Sequence, residues 1–287
     1  MFTIRQLTTT LAAALHAVYP EPEAQSIAGL VIEHLLHLSP LQRRMQAAQE
    51  VPTDVETQVA PLQARLLLHE PVQYVLGVAY FAGLELEVTP ATLIPRPETE
   101  ELVALIIAEH PGKADLTIVD IGTGSGCIPI ALEQTLRPKR VVGVDISAAA
   151  LEVARRNAAR YGSPVEFVLA DILTQEPDEI LPGSVAVLVS NPPYVLENER
   201  PLMRRNVLDF EPATALFVPN HDPLLFYRRI GELGRRWLQP GGGLYFEINE
   251  QYAAELLKLL RAQGYTTVEP RQDIFGKDRM VRATQPG

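Results

Sequence analysis

From residue 115 onward, apolar runs alternate with stretches of helical period, and this alternation constrains the fold more than any other feature. Leu116–Ile121, Arg140–Asp145, Val165–Leu169, Val185–Ser190 and Leu244–Ile248 read as strands. A helix runs from the glycines after the first strand through Leu132, and another spans Ser147–Tyr161 with Ser147 as its cap. Pro240-Gly-Gly-Gly243 reads as the turn before the last strand. The pattern predicts an α/β domain: a mostly parallel sheet with helices on both faces. Such sheets bind ligands beyond the carboxyl ends of their strands, and the polar motifs of this chain sit at strand ends.

Upstream the period is different. Leu7, Leu11, Ala14, Leu15 and Val18 fall at helical spacing, with Pro20-Glu-Pro22 expected to end that helix. Ile27, Leu30, Val31, His34, Leu35 and Leu38 form a second stripe, closed by Ser39-Pro40. A third helix is expected from Asp54 as N-cap, with Leu62, Leu66 and Leu67 on its buried face. Tyr80-Phe-Ala-Gly83 and the alternating Leu84-Glu-Leu-Glu-Val88 read as a hairpin. The expected organisation is therefore a helical bundle over residues 1–76, a hairpin linker over 77–97 and an α/β domain over 98–287. The bundle's stripes suit simple core packing, and equally a surface that docks a partner.

The chain has 287 residues, enough for two domains. Its formal net charge is −10, and both parts are acidic: the first eighty residues hold four Lys/Arg against seven Asp/Glu. That argues against tight nucleic-acid binding, although Arg204-Arg205 could form a local basic patch. A single cysteine, Cys127, cannot form an internal disulfide, which fits a reducing cytosol; it reads as a small buried hydrophobe. No signal peptide is expected at the start, and no apolar run approaches the ~20 residues of a membrane helix. The six His show no metal-ligand spacing, so no metal is expected.

Four strand ends carry the chemistry. Asp120-Ile-Gly122-Thr-Gly124-Ser-Gly126 closes the first strand and opens a helix. It is G-x-G-x-G, and does not match the dinucleotide fingerprint G-x-G-x-x-G. Asp145, 23 residues after Gly122, can accept both ribose hydroxyls of an adenosine, and Asp171 can accept an adenine amino group. Each acid alone equally reads as a helix cap or a solvated turn residue, and NAD shares the first two elements. The fourth strand separates these readings. Asn191-Pro192-Pro193-Tyr194 makes a stiff corner in which neither proline has an N–H to donate. The corner offers carbonyls, the Asn amide and an aromatic face, which suits gripping a planar –NH2 group.

Ser190-Asn-Pro-Pro-Tyr194 resembles the N/D-P-P-Y/F motif of class I S-adenosylmethionine (SAM)-dependent N-methyltransferases. Further motifs resemble the release-factor glutamine methyltransferases, the PrmC/HemK family, in order: Gln73-Tyr-Val-Leu-Gly77, Leu93-Ile-Pro-Arg-Pro-Glu-Thr-Glu100, the Asp120–Ile128 stretch, Asp145-Ile-Ser147, Glu211-Pro212 with Ala215-Leu216, and Asp273-Ile-Phe-Gly276 with Arg279. The resemblance covers roughly residues 70–285; the N-terminal helices agree only in length and character. Two departures are visible: Pro223 in Asn220-His-Asp-Pro223 and Asn249 in Phe246-Glu-Ile-Asn249 stand where the family tends to show Gly.

The resemblance implies a Rossmann-like class I methyltransferase domain behind a substrate-recognising bundle, with SAM as cofactor. It implies cofactor contacts at Gly122, Thr123, Gly124, Ser125, Gly126, Asp145, Asp171, Ile172 and Asn191. Catalysis would rest on Asn191, Pro192 and Tyr194, with Pro193 completing the substrate site. The implied reaction methylates the side-chain amide nitrogen of the glutamine in the Gly-Gly-Gln motif of peptide-chain release factors. A monomer acting in the cytoplasm on a protein substrate, without stable nucleic-acid binding, is expected. Three alternatives stay open: a ribosomal-protein glutamine methyltransferase, against which Pro97-Glu-Thr-Glu100 counts; a DNA or RNA base amino-group methyltransferase; and a non-catalytic SAM-binding protein.

Overall fold

The computed structural model describes residues 1–112 and 115–287. The chain forms two compact units: Met1–Val78 with Arg204–Phe210, and Ala79–Met203 with Glu211–Gly287.

In the first unit, α1 (Ile4–Leu15) is opened by a capping box between Thr3 and Gln6. Then follow α2 (Glu21–Leu36), α3 (Pro40–Met45), α4 (Thr53–Leu67) and α5 (Val72–Leu76). Pro20 and Pro22 open α2 instead of closing α1, because a helix tolerates proline where its first N–H groups have no partner anyway. Ser39 does not merely end the second stripe; it caps α3, a short helix without a buried face that periodicity could reveal. Pro52 precedes α4, so Asp54 lies inside the first turn and is not the N-cap. The buried face of α4 is Val55, Val59 and Leu66, while Leu62 and Leu67 pack at its edge. Leu11, Leu15, Ile32 and Leu66 are fully buried at the bundle's centre, whereas Leu30 faces outward.

The second unit begins with the hairpin β1 (Val78–Phe81) and β2 (Leu84–Glu87). After α6 (Pro97–Glu109) come β3 (Thr117–Ile121), α7 (Cys127–Leu136), β4 (Arg140–Asp145), α8 (Ala148–Arg160), β5 (Glu166–Leu169) and β6 (Val185–Ser190). Short β7 (Val195–Leu196) and β8 (Phe217–Val218) pair with each other; α9 (Arg205–Leu208), between them in sequence, belongs to the first unit. The chain ends with α10 (Leu225–Trp237), β9 (Leu238–Glu247), α11 (Ala253–Ala262), β10 (Thr266–Gln272) and β11 (Asp278–Thr284).

Seven strands form one sheet in the order β10-β11-β9-β6-β3-β4-β5. Five are parallel; β11 runs antiparallel to both β9 and β10. From β3 the chain winds outward through β4 to β5, then returns to lay β6 on the other side of β3. The β3/β6 boundary is the switch point of the sheet, where a crevice must open beyond the strand ends. Apolar clusters cover both faces, one around Val142, Leu188, Phe246 and Ile230, the other around Ile118, Val187, Ile106 and Leu132.

Pro240–Gly243 is not a free turn. It is an irregularity within β9, across which the pairing with β6 jumps from Leu238 to Gly243. Its backbone is satisfied from the C-terminus, with bonds linking Gly241 N–H to the Gln285 carbonyl and Gln285 N–H to the Gly242 carbonyl.

Candidate active site

Gly122 and Thr123 both donate their N–H groups to the Val144 carbonyl (2.8 and 3.0 Å), folding the loop after β3 across the end of β4. Gly122 holds φ at 74°, which a side chain would strain. A Cβ there would stand 3.9 Å from the Asn191 carbonyl, in the opening between loop and corner. The next strand end grips the loop: Asp145 Oδ2 accepts from Gly124 N–H (2.8 Å) and Oδ1 from Ser147 N–H (2.9 Å). Burial raises the Asp145 pKa, and these backbone bonds work against the rise. Ser147 in turn caps α8 through Ala150 N–H. Asp171, just beyond β5, accepts from Leu173 N–H and from the Thr174 hydroxyl, both at 3.0 Å.

Beyond β6, Ser190 Oγ donates to the Ile121 carbonyl (2.7 Å) and locks the ends of β6 and β3 together. Asn191 Nδ2 donates to Thr99 Oγ1 (3.2 Å), and Thr99 donates to Glu247 Oε2 (2.6 Å). The Tyr194 hydroxyl donates to Glu247 Oε1 (3.2 Å). Burial pushes both the Glu247 and the Tyr194 pKa upward. On the approach to α6, Glu211 is a buried anchor: Oε2 accepts from Ile94 N–H (3.1 Å), and Oε1 meets Arg96 Nη2 at 2.6 Å. Leu93 and Pro212, adjacent to these partners, both face the cavity described next.

Gly122, Gly124, Asp145, Asp171, Ile172, Asn191, Pro192 and Pro193 surround a cavity of ≈ 310 Å³. Thr123, Ser125, Gly126 and Tyr194 do not line it. Thr123 and Ser125 are buried, and the Ser125 carbonyl accepts from Asn157 Nδ2 (2.9 Å). Gly126 begins α7 so close to α8 that an added Cβ would meet Ala154 Cβ at 3.2 Å. Sequence reasoning missed the apolar wall: Ile146, Leu173, Phe217, Phe226 and Ile230. The one available signal was Ile146, an apolar residue directly after Asp145 that is 57 % exposed. It also missed Thr99 and Glu247, which lie behind the corner and not in the lining.

Burial pushes the Cys127 thiol up to about 12, so it stays protonated and a poor nucleophile near neutral pH. Among the described residues no group of His, Cys, Asp and Glu could hold a metal ion. No helix among them is long and apolar enough to cross a membrane.

A switch-point cavity, edged by a glycine turn and two strand-end carboxylates, is the framework of a class I methyltransferase. The solved structure of a methyltransferase from Pyrococcus furiosus shares the fold, with a TM-score of 0.53 at 19 % identity, covering 79 % of this chain and all of that one. A methyltransferase-domain family profile matches residues 112–269, and a profile for the PrmC N-terminal domain matches residues 6–77. The release factor glutamine methyltransferase of Bacteroides thetaiotaomicron is 42 % identical over 98 % of this chain and 100 % of its own length. That of Flavobacterium psychrophilum is 38 % identical over 97 % and 98 %. The chain belongs to the release factor glutamine methyltransferase family.

Proposed function

We propose that this protein transfers a methyl group from SAM to the side-chain amide nitrogen of the glutamine in the Gly-Gly-Gln motif of peptide-chain release factors. The observation that carries the proposal is the Asn191 corner opening on the cavity that Gly122, Asp145 and Asp171 also line. The donor set fits SAM. Asp145 offers acceptors for ribose hydroxyls, Asp171 for an adenine amino group, and Ile146, Ile172 and Leu173 offer apolar surface for a base. SAM supplies an electrophilic methyl group on a cationic sulfur.

The chain's own residues have to solve a different problem. An amide nitrogen is a weak nucleophile because its lone pair is delocalised into the carbonyl. With the Asn191 side-chain oxygen and the Pro192 carbonyl each accepting one amide N–H, the nitrogen is fixed and its lone pair is directed at the methyl. Positioning of this kind supplies most of the acceleration. No general base is assigned, since an N-alkylated, protonated amide is acidic enough to lose its proton to water. The Asn191 and Pro192 acceptors would also suit a nucleobase amine, although Tyr194 does not line the cavity to stack on a base. The acidic balance of the chain and the release-factor relatives favour the protein substrate. The setting that fits is the cytoplasm, with the enzyme acting as a monomer.

The test is incubation with methyl-labelled SAM and separate release-factor, ribosomal-protein and nucleic-acid acceptors; label confined to release factor is the expected result. Asp145→Ala should weaken SAM binding by about 2–4 kcal/mol, roughly 30- to 1000-fold, as two charged-acceptor bonds to ribose are lost. Titration calorimetry checks this, and unchanged affinity would remove Asp145 from the cofactor site. The bundle is proposed to recognise the substrate. Deleting residues 1–76 should therefore leave SAM affinity nearly intact and abolish transfer to the whole factor. Equal turnover by the truncated chain would leave the bundle only a packing role.

A further inference from the structure

The two ends of an asparagine side chain are nearly the same size, yet only one can accept an amide N–H. If Asn191 turned its nitrogen toward the substrate, donor would face donor and the grip would fail. The residues behind the corner decide the orientation. Thr99, in the first turn of α6, is 3 % exposed, and Glu247, at the end of β9, is 1 % exposed, so neither depends on bulk water for partners. A threonine hydroxyl has one proton. With Glu247 ionised, the 2.6 Å bond to its Oε2 commits that proton to the carboxylate. The hydroxyl can then only accept from Asn191, and it does so from Nδ2 at 3.2 Å. The other oxygen of Glu247 is engaged in the same sense by the Tyr194 hydroxyl, so both carboxylate oxygens act as acceptors. Hydrogen-bond polarity thus runs in one direction, from Asn191 through Thr99 to Glu247.

We propose that Thr99, backed by Glu247, is a positioning residue that fixes the Asn191 amide with its oxygen toward the substrate. The inference rests on the reading of Asn191 as the acceptor for the substrate amide. It gives Thr99, within the Pro97-Glu-Thr-Glu100 stretch, a role that helix capping does not cover: it sets the polarity of a group on a different element.

The experiment compares the full-length wild type with Thr99→Val, which keeps the shape and removes the hydroxyl, and with Thr99→Ser, which restores it. For each, kcat and KM are measured with purified release factor and SAM affinity by calorimetry. Thr99→Val is also placed in an Asn191→Ala background. The expected result is a kcat for Thr99→Val lowered ~10- to 100-fold, the scale of a misplaced reactant, with SAM affinity within ~2-fold of wild type. Thr99→Ser should recover kcat to within ~3-fold. In the Asn191→Ala background Thr99→Val should cost less than ~2-fold more, because residues acting through one another are not additive. Wild-type kcat in Thr99→Val would overturn the proposal, as would losses that multiply in the double variant. Should Thr99→Val fail to bind SAM or to fold, Thr99→Ala against Thr99→Ser carries the same comparison. A wild-type enzyme that binds SAM but leaves release factor unmethylated would instead overturn the functional reading, independently of Thr99.

Discussion

Replacing Asn191 with alanine should lower methyl transfer to release factor by at least ~10²-fold, the cost of leaving a reactant misplaced. The loss should fall on kcat, since the variant removes a group that fixes the nitrogen and spares the glycine turn and both strand-end acids. Asn191→Asp is the informative control. A carboxylate still accepts an amide N–H, so Asp should retain more activity than Ala. It should not reach wild type: the second carboxylate oxygen would face Thr99 Oγ1, whose proton is committed to Glu247. Two acceptors would then oppose one another in a largely buried space. Steady-state kinetics of the three proteins with one release-factor preparation give the expected order Asn, Asp, Ala. Near-normal turnover by both variants, with only a small fall in melting temperature, would reduce Asn191 to a loop brace.

The second large effect is on stability. Asp120, at 0 % exposure near the end of β3, has its pKa pushed up to about 7 by burial; the Thr123 hydroxyl counters the rise and the Asp145 charge adds to it. An unfolded Asp titrates near ~3.9. Between those values the folded state holds a proton that the unfolded state has released, so stability falls as pH rises. The contribution is fully present below ~4 and lost once pH passes about 7. Asp120→Asn cannot ionise, so its advantage over wild type should open by ~1.4 kcal/mol per pH unit across that window. It should level off at ~4 kcal/mol above the upper end. Denaturant unfolding of the ligand-free protein at a series of pH values checks this, and parallel pH profiles for the two proteins would contradict it.

The parts of the site that sequence made legible are those in which a short segment carries its own chemistry. Gly122, Asp145, Asp171 and Asn191 each follow an apolar run, so the alternation places them at neighbouring strand ends once the sheet is parallel. Ser147 as a cap needs only its own helix. What stayed hidden depends on contacts between distant segments. Thr99 and Glu247 are separated by 148 positions and meet only because α6 packs beside the end of β9. Glu211 is a lone acid until the chain brings it to Ile94 and Arg96. Asn157 looks like one more polar residue on a helix, yet it bonds both Glu87 of the hairpin and Ser125 of the glycine loop. The β10–β11 pair escaped because β10 is an edge strand: Thr266-Thr-Val-Glu-Pro-Arg-Gln272 has no apolar run, and its proline is tolerated only at an edge. Pro240–Gly243 reads as a turn by composition, but β6 pairs with β9 on both sides of the irregularity and Gln285 satisfies its backbone, which keeps it within a strand.

Fragment mass spectrometry of release factor, after incubation with the enzyme and methyl-labelled SAM, decides whether a glutamine side-chain nitrogen is the methyl acceptor. One label is expected, on the side chain of the glutamine in the Gly-Gly-Gln motif, absent when that glutamine is replaced. Label on any other residue, or none from an enzyme that binds SAM, would contradict this assignment.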